Sequence, residues 1–229
     1  MLFHVFFRAN HAPKGAFYFV QKGEKQMKQQ SVQWLVKVAV LGALATVLML
    51  VEFPLMFLAP NFYKLDFSEI PVVVGAFALG PMAGVAIEAI KVFLNFAVEG
   101  TQTAGVGEIA NFLIGCAYVV PAAIFYTLRK SRKSAVLGMA VGTLSVGAVG
   151  AVLNAYVLLP AYAYAFHAPI EAFIAMGTAV NPAITDLTTF ILFAVVPFNL
   201  FKGLMISVIV FVIYKRVSPL LKGRHHDEE

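Results

Sequence analysis

Three polar side chains in apolar surroundings could act together on a ligand: Asn154, Asn199 and Lys202. Asn199 and Lys202 are three residues apart and share one helix face. Asn154 is followed by Tyr156 and the aromatic stretch Tyr162, Tyr164 and Phe166. Two amides and one ammonium, framed by aromatics, suit a planar molecule with several carbonyl and ring-nitrogen edges, because an amide donates and accepts at once. Interhelical hydrogen bonding for the asparagines and snorkelling for Lys202 explain the same residues without a ligand. Glu88 and Lys91, also three apart, can form an internal ion pair. Glu108 and Asn111 fall at the start of an apolar segment, where an acid suits the positive helix end, so capping and ligand contact are both open. Glu52 and Asp186 stand near segment ends, where interfacial hydration favours a solvated role.

No catalytic set accompanies them. The chain has no G-x-x-x-x-G-K-[ST] phosphate loop, no H-E-x-x-H and no G-x-S-x-G. It is expected not to be an enzyme, and any ATP-driven step must come from another subunit. His167 is alone in a loop, and His4, His11, His225 and His226 are terminal. Cys116 is the single cysteine, so no disulfide forms within the chain and no metal-ligand spacing exists.

The elements that must position these residues are apolar helices. Hydrophobic residues make up 60% of the 229 and charged residues 13%, against roughly 25% charged in an ordinary soluble domain. A spanning helix needs about 20 apolar residues. Six segments can be drawn, at about Trp34–Phe57, Ser68–Leu79, Met82–Val98, Gly107–Leu128, Ala135–Leu159 and Thr185–Tyr214. The fold class is therefore an all-α integral membrane protein with six transmembrane helices and both termini cytoplasmic. The second segment is the weakest, and Gly80-Pro81 makes it a tight hairpin with the third. A count of five would put the termini on opposite sides.

Charge favours six. Arg8, Lys14, Lys22, Lys25, Lys28 and Lys37 precede or open the first segment, Arg129, Lys130, Arg132 and Lys133 separate the fourth and fifth, and Lys215, Arg216, Lys222 and Arg224 follow the sixth. Six spans put all three clusters on the cytoplasmic face. These clusters read as topology signals, with no aromatic-interleaved groove for nucleic acid. Residues 1–30 form an N-terminal extension, disordered or interfacial, with Met27 as a second possible start. Residues 31–222 form the membrane-embedded domain, and 223–229 a charged tail.

The outer loops are an aromatic one from Phe57 to Phe67, a Gly/Thr-rich one from Glu99 to Val106, and a long one from Pro160 to Ile184. Pro197 and Pro121 are expected to kink the sixth and fourth segments. Gly138, Gly142, Gly147 and Gly150, and separately Ala39, Gly42, Ala43 and Thr46, have the small-residue spacing that lets helices approach closely, within the bundle or against a partner.

Several ordered motifs add a resemblance over roughly Met27 to Lys222: Lys64-Leu65-Asp66-Phe67-Ser68-Glu69-Ile70-Pro71, Gly75-Ala76-Phe77-Ala78-Leu79-Gly80-Pro81, Glu88-Ala89-Ile90-Lys91, Gly107-Glu108-Ile109-Ala110-Asn111-Phe112 and Pro197-Phe198-Asn199-Leu200-Phe201-Lys202-Gly203. Together they resemble the riboflavin-specific S components of energy-coupling factor (ECF) transporters. The resemblance implies a multi-pass protein of a prokaryotic plasma membrane that takes riboflavin from outside as a transported ligand, with no cofactor. Its partners would be a transmembrane T component and two ATP-binding subunits. By this likeness Asn154, Asn199 and Lys202 would hydrogen-bond the flavin, and the segment around Leu65 and Asp66 would help cover it. Ala39 and Ala43 would match an A-x-x-x-A docking pattern. Two other readings stay open: the same architecture with another vitamin, and a stand-alone proton-coupled carrier working through Glu88 or Asp186.

Overall fold

Apolar runs with no water to satisfy their backbone must bond within themselves, so they fold as helices. The computed structural model describes residues 14–101 and 103–222, with side chains over 31–101 and 103–213. The chain divides into two units, Met1–Lys37 and Val38–Glu229. The first contributes the beginning of helix α1 (Lys14–Met49), so the second half of the expected extension is helical, while residues 1–13 and the tail 223–229 lie outside the described part.

Helix α1 ends at Met49, short of the expected Phe57. Glu52 and Pro54 follow at once, and the chain forms a two-residue hairpin ladder, β1 (Phe53–Pro54) against β2 (Lys64–Leu65), antiparallel with Phe53 opposite Leu65. Helix α2 (Glu69–Leu79) and α3 (Pro81–Glu99) meet at Gly80, whose φ of 100° admits no side chain cheaply, and Pro81 opens α3. Then come α4 (Val106–Leu128) and α5 (Arg132–Leu153), the latter N-capped by Ser131. Pro121 does not break α4, which is helical throughout.

Beyond α5 the expectation of a long loop from Pro160 is corrected. The helix passes through a π turn (Asn154–Leu158) into α6 (Leu159–Ala165), and α7 (Ile170–Val180) follows. A π turn precedes Pro160, which has no N–H to donate and whose ring crowds the turn before it, and the helix continues past it. The same device recurs in the last segment. Asp186 caps α8 (Leu187–Phe190), a π turn (Ile191–Val195) follows, and α9 (Val196–Lys222) begins around Pro197. Each proline comes two residues after its π turn ends.

Among the described residues five helices are long and apolar enough to cross a membrane: Ser31–Met49, Pro81–Glu99, Val106–Leu128, Arg132–Ala165 and Leu187–Ile213. Helix α2, expected as another span, has 11 residues and so a length of about 16 Å, against a hydrocarbon core of roughly 30 Å. It packs among α3, α4 and α9, and eight of its residues are buried. Helix α5 lies along α4 with backbone-to-backbone closeness: a Cβ at Gly138 would stand 2.5 Å from the Ala122 carbonyl oxygen, and one at Gly142 2.5 Å from that of Tyr118. Gly147 and Gly150 turn toward Leu200 and Asn199 of α9. The glycine run thus serves packing inside the bundle.

Candidate functional site

The loop from Leu55 to Ser68 returns into the protein instead of staying at its surface. Leu65, Asp66 and Ser68 are all buried. Asp66 is held by three donors: the Ser68 backbone N–H at 2.8 Å, the Ser68 hydroxyl, and the Lys202 ammonium of α9, whose Nζ donates to Oδ2 at 2.8 Å. Burial alone would raise the Asp66 carboxyl. The nearby Lys202 charge, the more distant Lys91 and these hydrogen bonds overcome that and hold it at about 2. Lys202 is therefore an ammonium with a fixed counter-ion.

Above this pair lies a cavity of about 520 Å³, a size suited to a drug-sized or vitamin-sized molecule. Six of the residues singled out as ligand contacts line it: Asp66, Glu108, Asn111, Asn154, Asn199 and Lys202. The seventh, Leu65, sits in the apolar cluster with Leu159, Phe173, Phe190 and Phe198.

Asn154, the first residue of one π turn, and Asn199, four residues beyond the other, both line the cavity, and both are buried. Each donates through Nδ2 to its own helix four residues back, Asn154 to the Gly150 carbonyl at 2.8 Å and Asn199 to that of Val195 at 2.9 Å. Their oxygens are thereby turned away from the helix backbone. The Tyr63 hydroxyl donates to Asn154 Oδ1 at 2.6 Å. Burial pushes the Tyr63 hydroxyl well above its ordinary value, with Tyr162 adding to the effect, so it stays a donor. Aromatic rings close this side: Tyr63 lies 4.7 Å from Phe62 and 5.4 Å from Phe198 between centroids, and Phe62 meets Phe173 edge-on at 6.0 Å. Tyr63 was not reachable from the sequence, where it is one aromatic among several in the loop from Phe57 to Phe67.

Glu108, also in the lining and in the first turn of α4, accepts from the hydroxyls of Thr101 and Thr103, each at 3.2 Å. It organises the Gly/Thr-rich loop as well as facing the cavity. Asn111 Oδ1 is buried with no hydrogen-bond donor on it. The rim carries the Lys64–Glu52 ion pair across the hairpin.

Glu88 and Lys91 do form the internal ion pair that their spacing permits, at 2.5 Å, and Glu69 of α2 joins it, accepting from Lys91 Nζ at 2.8 Å. Asp186 is exposed and caps α8: its carboxylate accepts from the Thr189 backbone N–H at 2.8 Å, which holds it below its ordinary value. Ala39 and Ala43 are exposed on α1 beside Val40, Leu44 and Val47, whereas Gly42 faces inward against Ile90 of α3.

A sequence model of the family described as "ECF transporter, substrate-specific component" matches residues 33–214. The chain belongs to that family. This S component is 33% identical to the riboflavin transporter FmnP of Bacillus subtilis (strain 168), over 83% of its own length and 95% of the relative. It is 32% identical to the riboflavin transporter RibU of Staphylococcus aureus (strain TCH60), over 87% and 98%. A solved structure described as the S component of a bacterial ECF transporter superposes with a TM-score of 0.65 at 30% identity, covering 84% of this chain and 99% of that one. The S component is thus a multi-pass membrane protein and a transport subunit, not an enzyme. Membership implies a T component and ATPase partners and a transported substrate.

Proposed function

We propose that this S component captures riboflavin from the outer side of the plasma membrane and delivers it through a T component driven by two ATP-binding subunits. The observation that carries the reading is the convergence of Asn154, Asn199 and Lys202 on one cavity with aromatic walls. Riboflavin is uncharged near neutral pH, so it needs apolar walls with a few placed polar groups. Lys202, neutralised by Asp66, suits such a ligand better than an unpaired cation would. The riboflavin transporters FmnP and RibU match along nearly their whole length.

In this reading the chain makes six traverses with both termini cytoplasmic. Helix α2 alone makes the second traverse, its short reach tolerated because α3, α4 and α9, not lipid, surround it. The Arg129 to Lys133 turn then faces the cytoplasm.

The test is the absorption spectrum of the purified protein together with a fluorescence titration. A flavin should copurify at roughly one per chain, and riboflavin added to ligand-free protein should be quenched saturably. Folded protein that shows neither does not carry riboflavin, and competition among related heterocycles would then identify the vitamin it takes.

A further inference from the structure

The charges around Lys91 do not balance. Lys91 is fully buried on α3, with Glu69 Oε1 at 2.8 Å and Glu88 Oε1 at 2.5 Å from its Nζ. Glu88 is fully buried as well, and Glu69 is 4% exposed. Two carboxylates against one ammonium leave one negative charge.

Among the described residues no neighbouring group removes it. Asp66 and Lys202 neutralise one another at 2.8 Å. Helix α4 presents Cys116 and Tyr118, a thiol and a phenol, and α1 presents the uncharged Thr46, whose hydroxyl donates to the Lys91 carbonyl. The Lys91 ammonium is the one group against Glu88 Oε1, and Oε2 of Glu88 and Oε2 of Glu69 have no donor among the described residues.

The two carboxyl groups also converge. A Cβ at Gly115 of α4 would stand 2.6 Å from Glu88 Cδ and 3.0 Å from Glu69 Oε1, so both reach the same point against the α4 backbone. An excess charge beside a carboxyl as enclosed as that of Glu88, which is fully buried and outside the cavity lining, is strongly disfavoured. A single proton between the carboxyls removes the excess charge and supplies the missing donor. A metal ion would need more oxygen ligands, and among the described residues no group of three or more His, Cys, Asp or Glu is placed to hold one.

We propose that Glu69 and Glu88 together hold one proton in the wall of the cavity. Glu69 and Gly115 both line that cavity, so the proton lies where an occupant alters its surroundings. The site does not depend on which substrate fills the cavity.

Infrared spectroscopy of the full-length protein in lipid bilayers at neutral pH, with isotope-labelled glutamate, tests this. The wild type should show the carbonyl band of a protonated glutamic acid, which diminishes as pH is raised. Glu69→Gln and Glu88→Gln should each abolish it, because either leaves one carboxylate to one ammonium. Absence of the band from the wild type at neutral pH, or its persistence in both variants, would overturn the proposal. If neither variant folds, the wild-type band and its pH dependence still decide the matter. Thermal stabilisation of the wild type by sodium but not by a bulky organic cation at equal ionic strength would also overturn it, by assigning a metal ion to the site.

Discussion

Asn199 is buried and its Nδ2 is committed to the Val195 carbonyl, which leaves its oxygen as the group available to a ligand. Asn199→Ala should therefore weaken riboflavin binding by about 1–3 kcal/mol, the cost of a polar edge left unpaired in a dry site; unchanged affinity in a quenching titration would make Asn199 a helix-packing residue. Asp66 gives a pH signature. Its carboxyl sits at about 2 in the folded protein against an ordinary 3.8, so its stabilising pairing with Lys202 is complete above pH of about 4 and is lost as pH falls toward 2. Thermal unfolding followed from pH 5 downward should show that loss, and Asp66→Asn should flatten this part of the profile. Asn154, Asn199 and Lys202 were legible in the sequence because polar groups in long apolar runs are conspicuous. The Glu69 partnership with Lys91 was not, since it spans 22 residues and only the packing of α2 on α3 creates it.

At the level of elements, the hairpin at Gly80-Pro81 and the extents of α3 and α4 followed from composition, because glycine and proline punctuate helices in ways that tertiary contacts seldom override. The chain beyond Leu159 did not. Its alternating aromatics and prolines read as a loop, whereas the helix continues through a π turn and past Pro160, and α7 follows. Helix α1 was overestimated for the opposite reason, since the residues after Met49 are apolar enough to extend a span but enter a hairpin instead. The α4–α5 contact offers a direct test. Gly142→Val would force a branched side chain onto the Tyr118 carbonyl oxygen, 2.5 Å from where its Cβ must lie, and should destabilise the bundle by about 1–3 kcal/mol or more, read as a lowered unfolding midpoint in detergent.

For the molecule as a whole, the exposed face of Ala39 and Ala43 is the proposed contact with the T component. Replacing both with leucine should leave flavin binding intact yet reduce co-purification with the T component and ATPases, because neither alanine packs inside this chain; full assembly of the double variant would remove that assignment. Helix α2 carries a different consequence. Eight of its eleven residues are covered by other parts of the protein, so its length is not matched to the acyl chains around the outer helices. Thinner or thicker bilayers can be accommodated by tilting of the lipid-facing helices, while the segment bearing Glu69 keeps its place. Substrate affinity should accordingly hold steady across reconstitutions in lipids of different chain length, which frees the capture step from the thickness of whichever membrane the cell is making.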